Sequence, residues 1–152
     1  MRHNLGPLGG GDFVVQRMAP AGVACVIRSV EDPLFGPVVS FGVAGDAIEL
    51  LDDVAHRIPP LTGNDVIDLV DSVRASPKLF GHRGAQPLDV AGLYDLLCRV
   101  SCLADDLPEI AQLELNPVIV AEESVSALGA VVRLAPDPGR TDAGVREMSH
   151  GH

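Results

Sequence analysis

The stretch "IAQLELNPVIVAEESVSALGAVVRL", residues 110 to 134, reads as two apolar strands joined by a polar turn. Inside the first of them stand a carboxylate, Glu114, and an amide, Asn116, two positions apart. Side chains at i and i+2 of a strand share a face, so the two project side by side. Buried without partners, each would cost roughly 1 to 3 kcal/mol or more, so both must meet something. Two readings fit the pattern. The pair is either a satisfied hydrogen-bonded couple or two oxygen ligands for Mg²⁺, an ion that favours such oxygens and accepts phosphate as a further ligand.

Working outward, two helical segments precede this pair of strands. "TGNDVIDLVDSVRASP" (62–77) carries an apolar stripe of Val66, Leu69, Val70 and Val73, with Thr62 or Asn64 as candidate cap. "DVAGLYDLLCRVSCLADDLP" (89–108) is the longer helix, capped by Asp89 and closed by Pro108, with Leu93, Leu96, Leu97, Val100 and Leu103 facing inward. Before them come "DFVVQRM" (12–18) and "VACVIRSV" (23–30), both read as strands, and the turn "EDPLFGP". "VVSFG" then leads through "VAGD" into "AIELL", a hairpin by its spacing. The order of elements predicts an α+β fold, a largely antiparallel sheet flanked by helices. Residues 12–135 form the expected domain, and the Pro/Gly-rich 136–152 a flexible tail in which His150 and His152 are incidental.

Composition narrows the function classes. Of 152 residues, 47% are hydrophobic and 21% charged, an ordinary globular balance. The net charge of −10 argues against nucleic acid as a partner and against an anionic membrane surface. It also means that a polyanion such as ATP would need Mg²⁺ or a basic partner surface. Only one of the 11 basic residues, Lys78, is a lysine, a weak candidate for a phosphate contact. No segment reaches the roughly 18 to 20 apolar residues of a membrane span, and the start lacks an apolar signal core, so a cytoplasmic location is expected. Cys25, Cys98 and Cys102 show no CxxC spacing and are read as core packing in a reducing compartment. "GVAG" (42–45) lacks the Lys-Ser/Thr of a phosphate loop and is read as a turn. Neither His56 nor His82 has a Ser or Cys companion at triad spacing, so neither is given a catalytic role.

"LELNPVIV" resembles the metal-binding strand near the end of the ATP-grasp module of ADP-forming acyl-CoA synthetases, to which the β chain of succinyl-CoA synthetase is more distantly similar. "FVVQRMAPAGV", "EDPLFGPVVSFGVAG", "ELLDDVAHRIPPL" and "GHRGAQPLD" fall in the order that family has them. The resemblance covers roughly residues 12 to 135. It implies the second lobe of an ATP-grasp fold, with ATP and Mg²⁺ as cofactors. It places Gln16, Met18 and Ala19 along the adenine and Asn116 at the metal, with Glu114, on the same strand face, as the substitute for a second ligand. Arg83, in the "HRG" loop, is implied to face phosphates or a CoA-binding partner, with a solvated structural Arg as the other reading. Two positions depart from the family pattern: Ala24 where a nucleotide-contacting Glu is usual, and Gly129 where the second Mg²⁺-binding Asp is usual. The family's first lobe, which brings phosphate-contacting basic groups, is expected to come from a protein partner together with the CoA-binding domains. The chain alone is therefore not expected to catalyse ligation. Two functions follow: part of an ADP-forming acyl-CoA ligase, or a non-catalytic interaction module that keeps the fold.

Overall fold

Eleven consecutive residues of the opening stretch, Ile110–Val120, form the long strand on which the sheet is organised. The computed structural model describes residues 15–45, 52–81, 84–137 and 139. In chain order the elements are β1 (Val23–Asp32), β2 (Gly36–Val43), β3 (Val54–Arg57), α1 (Gly63–Asp71), a 3-10 helix (Ser76–Phe80), α2 (Val90–Asp106), β4 (Ile110–Val120), β5 (Val125–Ala127) and β6 (Ala130–Leu134). The sheet runs β3-β2-β1-β4-β5, with β6 also on β4, and every pairing is antiparallel. The expected α+β class is what the chain adopts.

One face of this sheet is dry. Cys25 and Ile27 of β1, Val39, Phe41 and Val43 of β2, and Leu113, Leu115, Val118 and Val120 of β4 all enter a single core. The helices close it with Val66, Leu69 and Val70 from α1 and Leu93, Leu97 and Val100 from α2. On β4 the buried positions change parity, from 113 and 115 to 118 and 120. Strict alternation cannot do this. The ladder to β1 absorbs it: Ile27 pairs with Leu115 and Cys25 with Val118, so Asn116 and Pro117 together oppose Val26. This is a β-bulge, which redirects side chains locally without ending the strand.

The caps explain the helix limits. Thr62 begins α1 with a capping box: its hydroxyl accepts from the Asp65 N–H at 3.3 Å, and Asp65 accepts from the Thr62 N–H at 2.8 Å. The hydrogen bonds from Thr62 hold the Asp65 carboxyl below its usual range. Asp89 caps α2 through the Gly92 N–H at 2.9 Å.

Several sequence expectations need correction. Residues 15–18 carry no strand, and Val15 and Met18 are almost fully exposed, because no described strand pairs with them; Asp12 to Val14 lie outside the described residues. The described strand that returns along β2 is Val54–Arg57; "AIELL" (47–51) lies wholly outside the described residues. The α1 helix stops at Asp71 instead of running to Pro77. Asp53 takes the Arg74 and Ala75 N–H groups at 2.8 and 2.9 Å, and a 3-10 turn follows. Leu103 faces solvent, whereas Ser101, unremarked in the sequence, is fully buried and accepts from the Leu61 N–H at 2.8 Å. The last strand is split into β5 and β6 around Leu128 and Gly129.

The cysteines divide in the same way. Cys102 is exposed and Cys98 half-buried, contrary to a shared core role, while Cys25 lies within the core and burial pushes its thiol up to about 12. A thiol so held is almost wholly unionised near neutral pH and is therefore a poor nucleophile. Titration of the folded protein with a thiol reagent is expected to label Cys102 quickly and Cys98 more slowly. Cys25 should react only once denaturant is added; fast labelling of all three would contradict the packing.

Candidate functional site

The opposite face of the sheet carries the polar residues. Cross-strand register lines up His56 of β3, Ser40 of β2, Arg28 of β1, Glu114 of β4 and Val131 of β6 in one row. His56, Arg28 and Glu114 lie out of phase with the buried positions of their strands, so the row points away from the helices, with Ser40 buried in its middle. At its centre the Arg28 Nε donates to Glu114 Oε2 at 3.0 Å, with a longer Nη2–Oε1 contact of 3.5 Å. The Asn116 Nδ2 donates to Glu114 Oε1 at 3.0 Å. Glu114 and Asn116 thus sit side by side, as their spacing requires. Asn116's amide first, and Arg28's guanidinium second, hold the Glu114 carboxyl below the usual carboxylate range.

Arg28 also borders a hollow of about 330 Å³ shared with Val26, Ser40, Gly42, Asp52 and Val54. Arg28 and Ser40 are site residues that the sequence expectations do not include. The available signal was a lone cation in the apolar strand "VACVIRSV", on the phase opposite to Cys25 and Ile27.

Gln16, Met18 and Ala19 gather on a second, shallower hollow of about 420 Å³, which they share with Gly22, Ile119 and Leu128. Ile119 pairs with Ala24 and so belongs to the same helix-free face as Arg28. The first hollow therefore borders the Arg28–Glu114–Asn116 cluster on its β1–β2 side, and the second lies against β4 at Ile119. Arg83 and His82 lie outside the described residues. Lys78 is exposed on the 3-10 helix rather than on the row.

Gly129 faces Asn116 across the β4–β6 junction. The Asn116 N–H donates to the Gly129 carbonyl at 3.0 Å, and a Cβ on Gly129 would lie 2.3 Å from the Asn116 carbonyl oxygen. The backbones approach so closely that only glycine fits. Glu114 and Asn116 are therefore the side chains at this point that could hold a cation: a carboxylate, and an amide whose nitrogen hydrogen-bonds to it. Mg²⁺ is commonly held by one or two carboxylates with phosphates and waters completing the octahedron, so this donor set fits it.

Comparison with known proteins gives this antiparallel sheet, with helices on one face and a polar, hollowed face opposite, its family. The sequence profile of the ATP-grasp domain matches residues 9–134, and the chain belongs to that family. It is 37% identical over 117 residues to the beta subunit of acetate–CoA ligase [ADP-forming] I of Pyrococcus furiosus, covering 77% of this chain and 50% of that one. It is 39% identical over 115 residues to acetate–CoA ligase [ADP-forming] I of Archaeoglobus fulgidus, covering 76% of this chain and 17% of that one. Among solved structures it resembles the acetyl-coenzyme A synthetase 1 of Ca. Korarchaeum cryptofilum in complex with coenzyme A and Mg-AMPPCP. The TM-score is 0.73 at 37% identity, over 77% of this chain and 55% of that one. The apo form of the same synthetase gives a TM-score of 0.75, covering 79% and 57%. The chain thus spans about half the length of the beta subunit and a smaller share of the longer ligase. Among the described residues, no helix is long and apolar enough to cross a membrane.

Proposed function

We propose that this chain is one jaw of an ATP-grasp nucleotide site of the ADP-forming acyl-CoA ligase type. Gln16, Met18 and Ala19 border the adenine, and Glu114 and Asn116 contribute to Mg²⁺. The observation that carries this reading is the arrangement on the helix-free face. The hollow at Gln16–Ala19 includes Ile119, which is three residues along β4 from Asn116. That distance is roughly 10 Å along a strand, the length scale that separates a purine from its phosphates. Mg²⁺, when bound, would neutralise polyphosphate charge. The chain's own part is to line the base, to offer two oxygens on one side of the phosphates, and to keep that face free of helices. Arg83 is assigned to the phosphates or to a CoA-binding partner on the family resemblance alone. The remaining half of the clamp, and the acyl and CoA sites, belong to further domains on the same or another polypeptide.

Calorimetric titration with ADP tests this. Binding is expected to strengthen with Mg²⁺, and Glu114→Gln or Asn116→Ala should weaken the Mg²⁺-dependent part about tenfold or more, by analogy with losses of metal-site partners. In EDTA the variants and the parent chain should converge. Equal affinity with and without Mg²⁺ would remove the metal assignment.

The second reading, a scaffold that has kept its interfaces but not its nucleotide chemistry, draws on Gly129. Packed against Asn116, it leaves no room for the second carboxylate that the family pattern would supply. Absence of any ADP binding, with or without Mg²⁺, would favour that alternative.

A further inference from the structure

We propose that Arg28 is an internal counter-cation for Glu114, which an incoming divalent ion must displace and which, once displaced, binds the polyphosphate that arrives with the metal. The inference rests on the nucleotide-and-metal reading above and adds a residue and an order of events to it.

The geometry supplies three reasons. First, the guanidinium engages both Glu114 oxygens, at 3.0 and 3.5 Å, while Asn116 engages Oε1. A cation approaching a carboxylate oxygen to about 2.0–2.1 Å would meet a fixed positive charge only a few ångströms away. Metal binding and the Arg28–Glu114 pair are therefore competitive. Second, Arg28 is only partly tied down. Its side chain is 46% exposed, against 23% for Glu114, so Arg28 is the partner with freedom to move. Third, it has somewhere to go. Arg28 lines the hollow of about 330 Å³ beside Ser40 and Gly42, away from the β4 side on which Glu114 stands.

An arginine suits this exchange better than a lysine. It keeps its charge at every relevant pH, and its planar fork matches carboxylate and phosphate oxygens equally well. Free metal would then have to break an ion pair with no replacement partner for Arg28. A metal–polyphosphate complex offers one, because the phosphate oxygens receive the guanidinium that the metal ejects. By linkage, polyphosphate raises metal affinity by the same factor as metal raises polyphosphate affinity.

Manganese is a usable probe. Free Mn²⁺ binding can be read from its electron paramagnetic resonance signal, and Mn·ADP binding from enhancement of water-proton relaxation. The parent chain should bind free Mn²⁺ poorly and Mn·ADP clearly better. Arg28→Gln should invert this, binding free Mn²⁺ about fivefold or more tighter than the parent and Mn·ADP about fivefold or more weaker. Arg28→Lys, which keeps charge but not the fork, should fall between them. Circular dichroism of each variant verifies the fold.

Unchanged affinities in Arg28→Gln, with Mn·ADP binding still dependent on Glu114, would overturn the role of Arg28 and leave the metal site standing. Mn·ADP binding that survives Glu114→Gln and Asn116→Ala would overturn the metal site itself. If neither Mn²⁺ nor Mn·ADP binds the parent or any variant, both fall.

Discussion

Phe41→Ala is expected to cost about 3–5 kcal/mol of folding stability, the usual range for emptying a large aromatic site in a core. Phe41 is fully buried in β2, between Ile27 of β1 and Ala55 of β3 in register. Among the described phenylalanines it alone is inside, since Phe35 is 64% and Phe80 46% exposed. The chain has no Trp and one Tyr, Tyr94, which is only partly buried against this core, so among the described residues Phe41 is the one fully buried aromatic ring. Domains of this size are stable by only about 5–15 kcal/mol, so the loss is a large fraction of the whole. Urea denaturation followed by far-ultraviolet circular dichroism would measure it, with Phe41→Leu as a control expected to lose less than about 1.5 kcal/mol. A loss below about 1 kcal/mol for the alanine variant would mean that the ring is not packed as described.

The second large effect concerns Gly129. The family resemblance invites Gly129→Asp as the change that completes a metal pair opposite Asn116. The structure leads to another expectation: a loss of roughly 2–3 kcal/mol and no gain in metal affinity. A Cβ at this position would lie 2.3 Å from the Asn116 carbonyl oxygen and 3.3 Å from its carbon. Both are backbone atoms of β4, which is held by β1 on one side and by β5 and β6 on the other, so it cannot retreat. The strain must instead loosen β6, breaking the 3.0 Å bond from the Asn116 N–H to the Gly129 carbonyl and disturbing the amide proposed above as a metal ligand. Gly129→Ala separates the causes. If both variants lose similar stability, the clash dominates; if alanine is neutral, the close approach described for these strands is wrong.

Much of the fold was legible because its signals are local. Thr62 and Asp89 announce their helices, Pro108 ends one, and the alternation in "VACVIRSV" marks β1 correctly. The failures have a common origin in partners distant in sequence. Nothing within 12–18 says whether a neighbouring strand exists to pair with it. Nothing around Val73 reveals that Asp53, some twenty residues earlier, will claim the next two N–H groups. The site was half legible for the same reason. Spacing alone placed Glu114 beside Asn116, but Arg28 became visible only once β1 and β4 were set in register. Gly129 looked like a missing side chain, whereas in three dimensions it is a point of contact between two backbones.

The bulge at Asn116 and Pro117 has a consequence for how such a protein can change over time. Because it decouples the phase of β4 on either side, substitutions that tune the wet surface near Asn116 leave the Leu113–Leu115 and Val118–Val120 interior untouched. Selection can therefore rewrite the chemistry on one side of this sheet, or erase it, while the architecture beneath persists.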